Sequence, residues 1–192
     1  MFNKISRNIM PVKNLTFPGS KTPEMIVNSI KLTEWKLSIS DPENFDLIII
    51  YRGLHCPICS KYLQEFDKNF DEFLKLGTNL IAISTDTEER AIKSFKDWKL
   101  EKLNLGYNLD QKTAIEWGLY LSKGIPNPSL TIAEPEFFVE PGIFLVDADK
   151  RLYFSNIQSM PFTRPPVREL LSGVKFAIDK KYPARGTLKY LK

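Results

Sequence analysis

The chain has 192 residues, 43% hydrophobic and 26% charged, with a formal net charge of +4, which is the composition of a globular protein large enough for one domain and a sizeable core. Its lysines and arginines are interspersed with acids, arguing against a nucleic-acid-binding face, and no run approaches the ~18 apolar residues of a membrane span. Two cysteines and one histidine are too few for a secreted disulfide scaffold.

Met1 to Lys13 carries basic residues without an apolar h-region, so no secretory signal is expected and the cytoplasm is the expected compartment. Residues 1–29 read as an irregular N-terminal segment, ahead of a domain over residues 30–187 and a tail at 188–192. β character around Ile26 and over Trp35–Ile39 suggests a hairpin, and Asp41-Pro42-Glu43-Asn44 a turn. A buried central strand is expected over Asp46 to Tyr51, from the apolar, β-branched run Ile48-Ile49-Ile50, and Gly53 breaks it. From Pro57 to Leu76 the residues Ile58, Tyr62, Leu63, Phe66, Phe70, Phe73 and Leu74 keep helical spacing, with Gly77 as the stop.

Asn79 to Ser84 is a second buried strand. Thr85 or Thr87 caps a helix running to Trp98, with Glu88 and Glu89 in its first turn. A short strand is expected over Asn104–Leu109 and a helix over Lys112–Leu119, with Asp110 as its cap. Ser122 to Pro141, containing Pro126, Pro128 and Pro135, reads as a long excursion with little regular structure. Gly142–Val146 and Arg151–Asn156 form a hairpin, Pro165 and Pro166 open a helix to Lys181, and a basic tail follows.

Alternating strands and helices imply a parallel sheet covered on both faces, and the terminal hairpin makes that sheet mixed. The expected class is α/β, a three-layer thioredoxin-like fold with one extra βα unit. Reactive groups then belong at the carboxyl ends of the strands.

The only cysteines, Cys56 and Cys59, fall at the strand-to-helix junction in Cys-Pro-Ile-Cys spacing, with the only histidine, His55, before them. A helix starting near Cys56 turns unpaired N–H groups and its positive end on that sulfur, which lowers a thiol pKa. Cys59 lies one turn on, facing the same way. Pro57 fits the first turn, where a missing N–H costs nothing. A structural zinc site needs four ligands, which two Cys and one His do not supply. Two inert core cysteines are the other alternative. Redox use is the expectation, with no metal and no cofactor.

The run Tyr51-Arg52-Gly53-Leu54-His55-Cys56-Pro57-Ile58-Cys59, with Asn108-Leu109-Asp110, Trp117-Gly118-Leu119, Pro141-Gly142-Ile143-Phe144-Leu145-Val146-Asp147 and Tyr182-Pro183-Ala184-Arg185-Gly186, resembles peroxiredoxin-like proteins of the alkyl hydroperoxide reductase/thiol-specific antioxidant superfamily. The resemblance implies a thioredoxin-like fold and antioxidant thiol chemistry. It also implies a Thr three residues before the reactive cysteine, where Gly53 stands, and an Arg where Pro141 stands. Pro141 is instead similar to the cis-proline of thioredoxins, which implies a cis Glu140–Pro141 bond beside the cysteines and a Glu140 backbone free to pair with a bound peptide. His55 either supports the thiolate, as imidazolium or proton carrier, or points to solvent. Arg52 and Arg164 are candidate positive charges at the site, or else surface or salt-bridged residues.

Three readings follow. In a thiol–disulfide oxidoreductase Cys56 attacks a substrate disulfide and Cys59 resolves the mixed disulfide. In a thiol peroxidase Cys56 becomes a sulfenic acid that Cys59 condenses with. In a binding module the cysteines are idle. The absent Thr and Arg rank the first above the second. Cys56 should be the more exposed and more acidic thiol. Expected partners are a disulfide-bearing protein or small molecule, or a hydroperoxide, and a thiol reductant such as thioredoxin or glutathione, with the chain a monomer or homodimer.

Overall fold

The structure, a computed structural model, describes residues 16–126 and 131–188. The basic stretch Met1–Lys13 lies outside them. Nine strands are found among these residues: β1 (Ile26–Ser29), β2 (Glu34–Lys36), β3 (Phe45–Ile50), β4 (Thr78–Ile83), β5 (Asn104–Tyr107), β6 (Leu121–Lys123), β7 (Phe137–Val139), β8 (Gly142–Asp147) and β9 (Leu152–Ile157). The helices are α1 (Pro57–Lys68), α2 (Phe70–Lys75), α3 (Glu88–Asp97), α4 (Gln111–Glu116) and α5 (Val167–Asp179).

Seven strands make one mixed sheet in the order β2-β1-β5-β4-β3-β8-β9. Central β3 runs parallel to β4 and antiparallel to β8, and all six of its residues are buried, which is why Leu47 to Ile50 reads as a continuous apolar run. Asp46, buried with them, is paired with Lys150 at 3.1 Å and accepts the Ser40 hydroxyl at 2.6 Å. Its alternate residues feed two cores. Leu47 and Ile49 join Leu63 and Phe66 of α1, Phe73 of α2 and Val174 of α5 on one face, while Ile48 and Ile50 join Ala114 and nearby Trp117 on the other. The fold is thioredoxin-like α/β, with helices on both sides of the sheet.

Three expectations change in detail. The strand Ile26–Ser29 pairs with β2 and β5, so the end of the segment read as irregular belongs to the sheet. The helix expected to run from Pro57 to Leu76 is two helices, split at Asn69, whose side-chain Nδ2 donates to the Glu65 carbonyl at 2.8 Å and competes with the helix backbone. The proline-rich excursion contains a hairpin, with Leu121, Ser122 and Lys123 opposite Val139, Phe138 and Phe137. Pro126 and Pro135 sit between its strands, where the missing N–H breaks no ladder.

Candidate active site

β3 ends at Ile50, and the chain must reverse before α1 begins. Gly53 makes the reversal with φ +132°, and a Cβ there would meet both carboxylate oxygens of Asp86 at 2.7 Å. The Cys56 N–H donates to the Gly53 carbonyl at 3.0 Å, and the Leu54 N–H donates to Asp86 Oδ2 at 2.7 Å. Arg90 Nε donates to Oδ1 of the same carboxylate at 2.7 Å. Asp86, in the β4–α3 connection, thereby pins the turn that delivers Cys56.

Cys56 is the N-cap of α1, with extended backbone (φ −100°, ψ 102°), and Pro57 occupies the first turn. Its Sγ accepts the Cys59 N–H at 3.3 Å, a sulfur standing where a Ser or Asp oxygen usually caps. The Cys56 thiol is held down to about 6, chiefly by hydrogen bonding from the Cys59 side chain, with help from the Cys59 N–H, Arg164 and Arg52, and against its own burial. Cys59 moves the opposite way: burial, then its interaction with Cys56, pushes it well above the usual thiol range. The expected order of acidity holds, but the expected difference in exposure does not. Cys56 is 1% exposed and Cys59 0%, because α5 and the segment before it close over the helix start.

Arg164, between β9 and α5, points its guanidinium at the pair. Nη2 donates to Cys59 Sγ at 3.2 Å and lies 4.0 Å from Cys56 Sγ, while Nε donates to the Pro161 carbonyl at 3.0 Å. The guanidinium carbon is 5.2 Å from the centre of the Tyr62 ring, whose hydroxyl donates to the Pro165 carbonyl at 2.6 Å.

A second charged cluster involves Arg52, which lines a cavity with Cys56 and is salt-bridged. Its Nη2 is 3.2 Å from Glu134 Oε1, its Nε is 3.3 Å from Glu140 Oε2, and it stacks 4.5 Å over Phe138. Glu134 Oε2 accepts the Ile125 N–H at 3.0 Å, and Glu140 Oε1 accepts the Ser122 hydroxyl at 2.6 Å. His55 is buried against Phe138, with ring centres 4.7 Å apart. Arg90 Nη2, which can only donate, lies 3.4 Å from Nδ1 and so assigns the ring proton to Nε2. Burial, then the charge of Arg52, pushes His55 down to about 4, Glu134 opposing and Arg90 assisting. The ring is therefore buried rather than turned to solvent, and its lowered pKa disfavours the imidazolium form at pH 7, leaving the neutral ring of the proton-carrier expectation.

A cavity of about 420 Å³ opens beside Cys56, bounded among others by Arg52, Ile58, Phe138, Glu140 and Phe162. Pro141 is not among its lining residues. No peptide bond among the described residues is cis, so Glu140–Pro141 is trans. The chain runs extended from β7 into β8 and needs no reversal at Pro141. The Glu140 N–H is already donated to the Tyr120 carbonyl at 2.8 Å. The thioredoxin-type peptide groove expected there is therefore not formed. Among the described residues no three His, Cys, Asp or Glu side chains stand where they could hold a metal.

The AhpC/TSA family model matches residues 18–155, well over half of the chain. The chain belongs to the AhpC/TSA family. A peroxiredoxin of Ignicoccus hospitalis is 32% identical over 96 residues, which is 45% of this chain and 36% of that protein. A peroxiredoxin of Methanocaldococcus jannaschii is 33% identical over 98 residues, 45% of this chain and 40% of that one. The chain thus spans well under half the length of these relatives. Among solved structures, the reduced 2-Cys peroxiredoxin of Plasmodium vivax superposes with a TM-score of 0.70 at 15% identity, covering 87% of this chain and 85% of that one. AhpC of Mycobacterium tuberculosis superposes at 0.67 and 14% identity, covering 89% and 98%. At such identities the likeness is one of fold.

Against the AhpC/TSA pattern, both departures have a structural counterpart. The space a Thr side chain would fill at Gly53 is taken by the Asp86 carboxylate. With Pro141 at the expected Arg position, a guanidinium arrives instead from Arg164, on a different element. The sequence reading missed Asp86, Arg90, Glu134 and Phe138, and gave Glu140 a backbone role only, not the side-chain contacts to Arg52 and Ser122. The i,i+4 spacing of Asp86 and Arg90 at a helix start was a usable signal. The two glutamates carried none, because they lie in a stretch read as irregular.

Proposed function

We propose that this chain is a thiol peroxidase acting on small oxidants, hydroperoxides foremost, with Cys56 attacking and Cys59 resolving. This reverses the order the sequence suggested. The observation that carries the reading is the setting of Cys56: a thiol held at about 6 and 1% exposed, beside a small cavity rather than on an open face. A small hydroperoxide can enter such a space. A folded protein disulfide needs an accessible face and a backbone partner, and the Glu140 N–H is already used.

In this reading the Cys56 thiolate attacks one peroxide oxygen. The S–O bond forms as the O–O bond breaks, and the alcohol or water leaves after taking up a proton. The Cys59 thiol then attacks the sulfenic sulfur, forming the disulfide and releasing water. Two electrons from an external thiol restore the pair. An oriented donor on the developing charge is typically worth about 2.7–4 kcal/mol. Arg164 offers one guanidinium there, and nothing at Gly53 replaces the second donor, so a modest rate is expected.

The test is single-turnover consumption of hydrogen peroxide and an alkyl hydroperoxide, set beside reduction of insulin disulfides. Peroxide should be consumed with formation of one intramolecular disulfide, and Cys56→Ser should abolish it. In Cys59→Ser, dimedone should trap a sulfenic acid on Cys56. Faster insulin reduction than peroxide consumption would restore the oxidoreductase reading. Failure of both would leave the binding module.

A further inference from the structure

Three buried polar atoms with no hydrogen-bond partner among the described residues fall together near Cys56: Arg52 Nε, His55 Nε2 and Glu140 Oε2. Buried groups of this kind are normally matched. Arg52 Nε and Glu140 Oε2 are 3.3 Å apart, close enough to attract but not aligned as a hydrogen bond, so each keeps bonding capacity. The Glu140 side chain is only 7% exposed, and both residues line the cavity that Cys56 lines, with Ser122, Lys123 and Ser159. The cavity lining thus carries two cations, Arg52 and Lys123, and two anions, Glu134 and Glu140. Glu134 is taken up by Arg52 Nη2 and the Ile125 N–H, while Arg52 Nε and Glu140 Oε2 keep unused bonding capacity side by side.

We infer that the reductant of the Cys56–Cys59 disulfide is a small zwitterionic thiol, of the amino-acid or short-peptide class, bound in this cavity. Its carboxylate meets Arg52, with Lys123 near the same space, and its ammonium meets Glu140. A neutral thiol gains nothing from this pair, and an anionic or cationic one leaves one charge facing its like. A protein reductant lacks the backbone groove that trans Pro141 and the spent Glu140 N–H remove. The inference rests on the redox reading of the two cysteines.

The steps balance. The bound thiolate attacks the Sγ of Cys56, the cysteine that lines the cavity, and the S–S bond to Cys59 breaks. Cys59 leaves as a thiolate facing Arg164 and takes up a proton. A second thiol attacks the mixed disulfide at the ligand's sulfur, releasing the small-molecule disulfide and the Cys56 thiolate. Two thiols are oxidised and one protein disulfide is reduced.

To test it, the full chain is oxidised with peroxide or, where peroxide fails, with diamide. Reduction is then followed with cysteine, cysteamine, 3-mercaptopropionate and 2-mercaptoethanol. Rate constants are referred to thiolate concentration and corrected for thiol basicity. Cysteine should show saturation and exceed the other three by about tenfold, as expected for charge-assisted contacts. S-methylcysteine, which carries the charges without the thiol, should compete. Glu140→Gln should bring the cysteine-to-mercaptoethanol ratio towards one. Rates linear in cysteine and ordered by basicity alone, or indifference to S-methylcysteine in the wild type, would overturn the inference. The peroxide reading is judged separately, by whether peroxide forms the disulfide before any thiol is added.

Discussion

Arg164 Nη2 lies 3.2 Å from the sulfur of Cys59, the thiol whose burial pushes its pKa up. The pairing matters most when Cys59 must depart as a thiolate during reduction of the disulfide, since a buried anion needs a partner there. A hydrogen bond to a charged group contributes about 1.5–3 kcal/mol. Arg164→Met should therefore slow reduction of the oxidised protein by roughly ten- to a hundredfold. The peroxide step should slow less, because Cys56 Sγ is 4.0 Å away. Arg164→Lys keeps the charge but loses the fork and should fall between. Stopped-flow measurement of the two half-reactions separates these effects, and equal slowing of both would contradict the assignment.

Restoring the family's Thr at position 53 should do harm. Gly53 has φ +132°, and an added Cβ would sit 2.7 Å from both Asp86 oxygens. Strained backbone of this kind costs about 1–3 kcal/mol, with the clash in addition. Gly53→Thr should lower the urea midpoint accordingly and should not accelerate peroxide turnover. A variant of wild-type stability with faster turnover would show that the Asp86 carboxylate moves aside.

The sheet was legible because its signals are local. Four consecutive apolar residues in β3, Leu47 to Ile50, and the cysteines at its exit, follow from periodicity and chain breaks alone. The surroundings of Cys56 were not, because they are assembled from distant parts of the chain. Glu134, Phe138 and Glu140 come from the β6–β7 hairpin, hidden among prolines, and Asp86 from the β4–α3 turn. Pro141 shows the converse error. Its place in a motif implied a cis bond, but bond geometry depends on the direction the chain takes next, and here β7 runs on into β8.

His55 should make the protein acid-sensitive in a defined window. Its pKa is pushed down from 6.5 to about 4, by burial, then by the charge of Arg52, Glu134 opposing and Arg90 assisting. In the unfolded chain the ring binds a proton near pH 6.5, while in the folded chain it stays neutral until about 4. The unfolded state thus binds more protons between these values, and stability falls as pH drops through them, with no penalty above 6.5. Each pH unit carries about 1.4 kcal/mol, and after allowance for screening the loss is roughly 2 kcal/mol. Urea denaturation at pH 7 and pH 4.5 should show a smaller difference in His55→Gln than in the wild type. An unchanged difference would place the acid sensitivity elsewhere.

The causes that lower the Cys56 thiol make an ordered prediction about its thiolate. Hydrogen bonding from the Cys59 side chain acts most strongly, the Cys59 N–H next among the lowering influences, and Arg164 after them. Cys59→Ser keeps a side-chain donor and the N–H, Cys59→Ala keeps the N–H alone, and Arg164→Met keeps both but loses the charge. Thiolate absorbance at 240 nm, titrated on the reduced protein, should show Cys56 ionising near 6 in the wild type. The midpoint should rise in all three variants, furthest in Cys59→Ala. The Ser and Met variants should lie closer to the wild type, since a hydroxyl donor replaces the thiol in one and both Cys59 donors remain in the other. Should Arg164→Met shift the midpoint further than Cys59→Ala, the guanidinium rather than the neighbouring thiol would be the main support of the Cys56 thiolate. The Arg164 variant would then impair attack on peroxide as severely as it impairs release of Cys59.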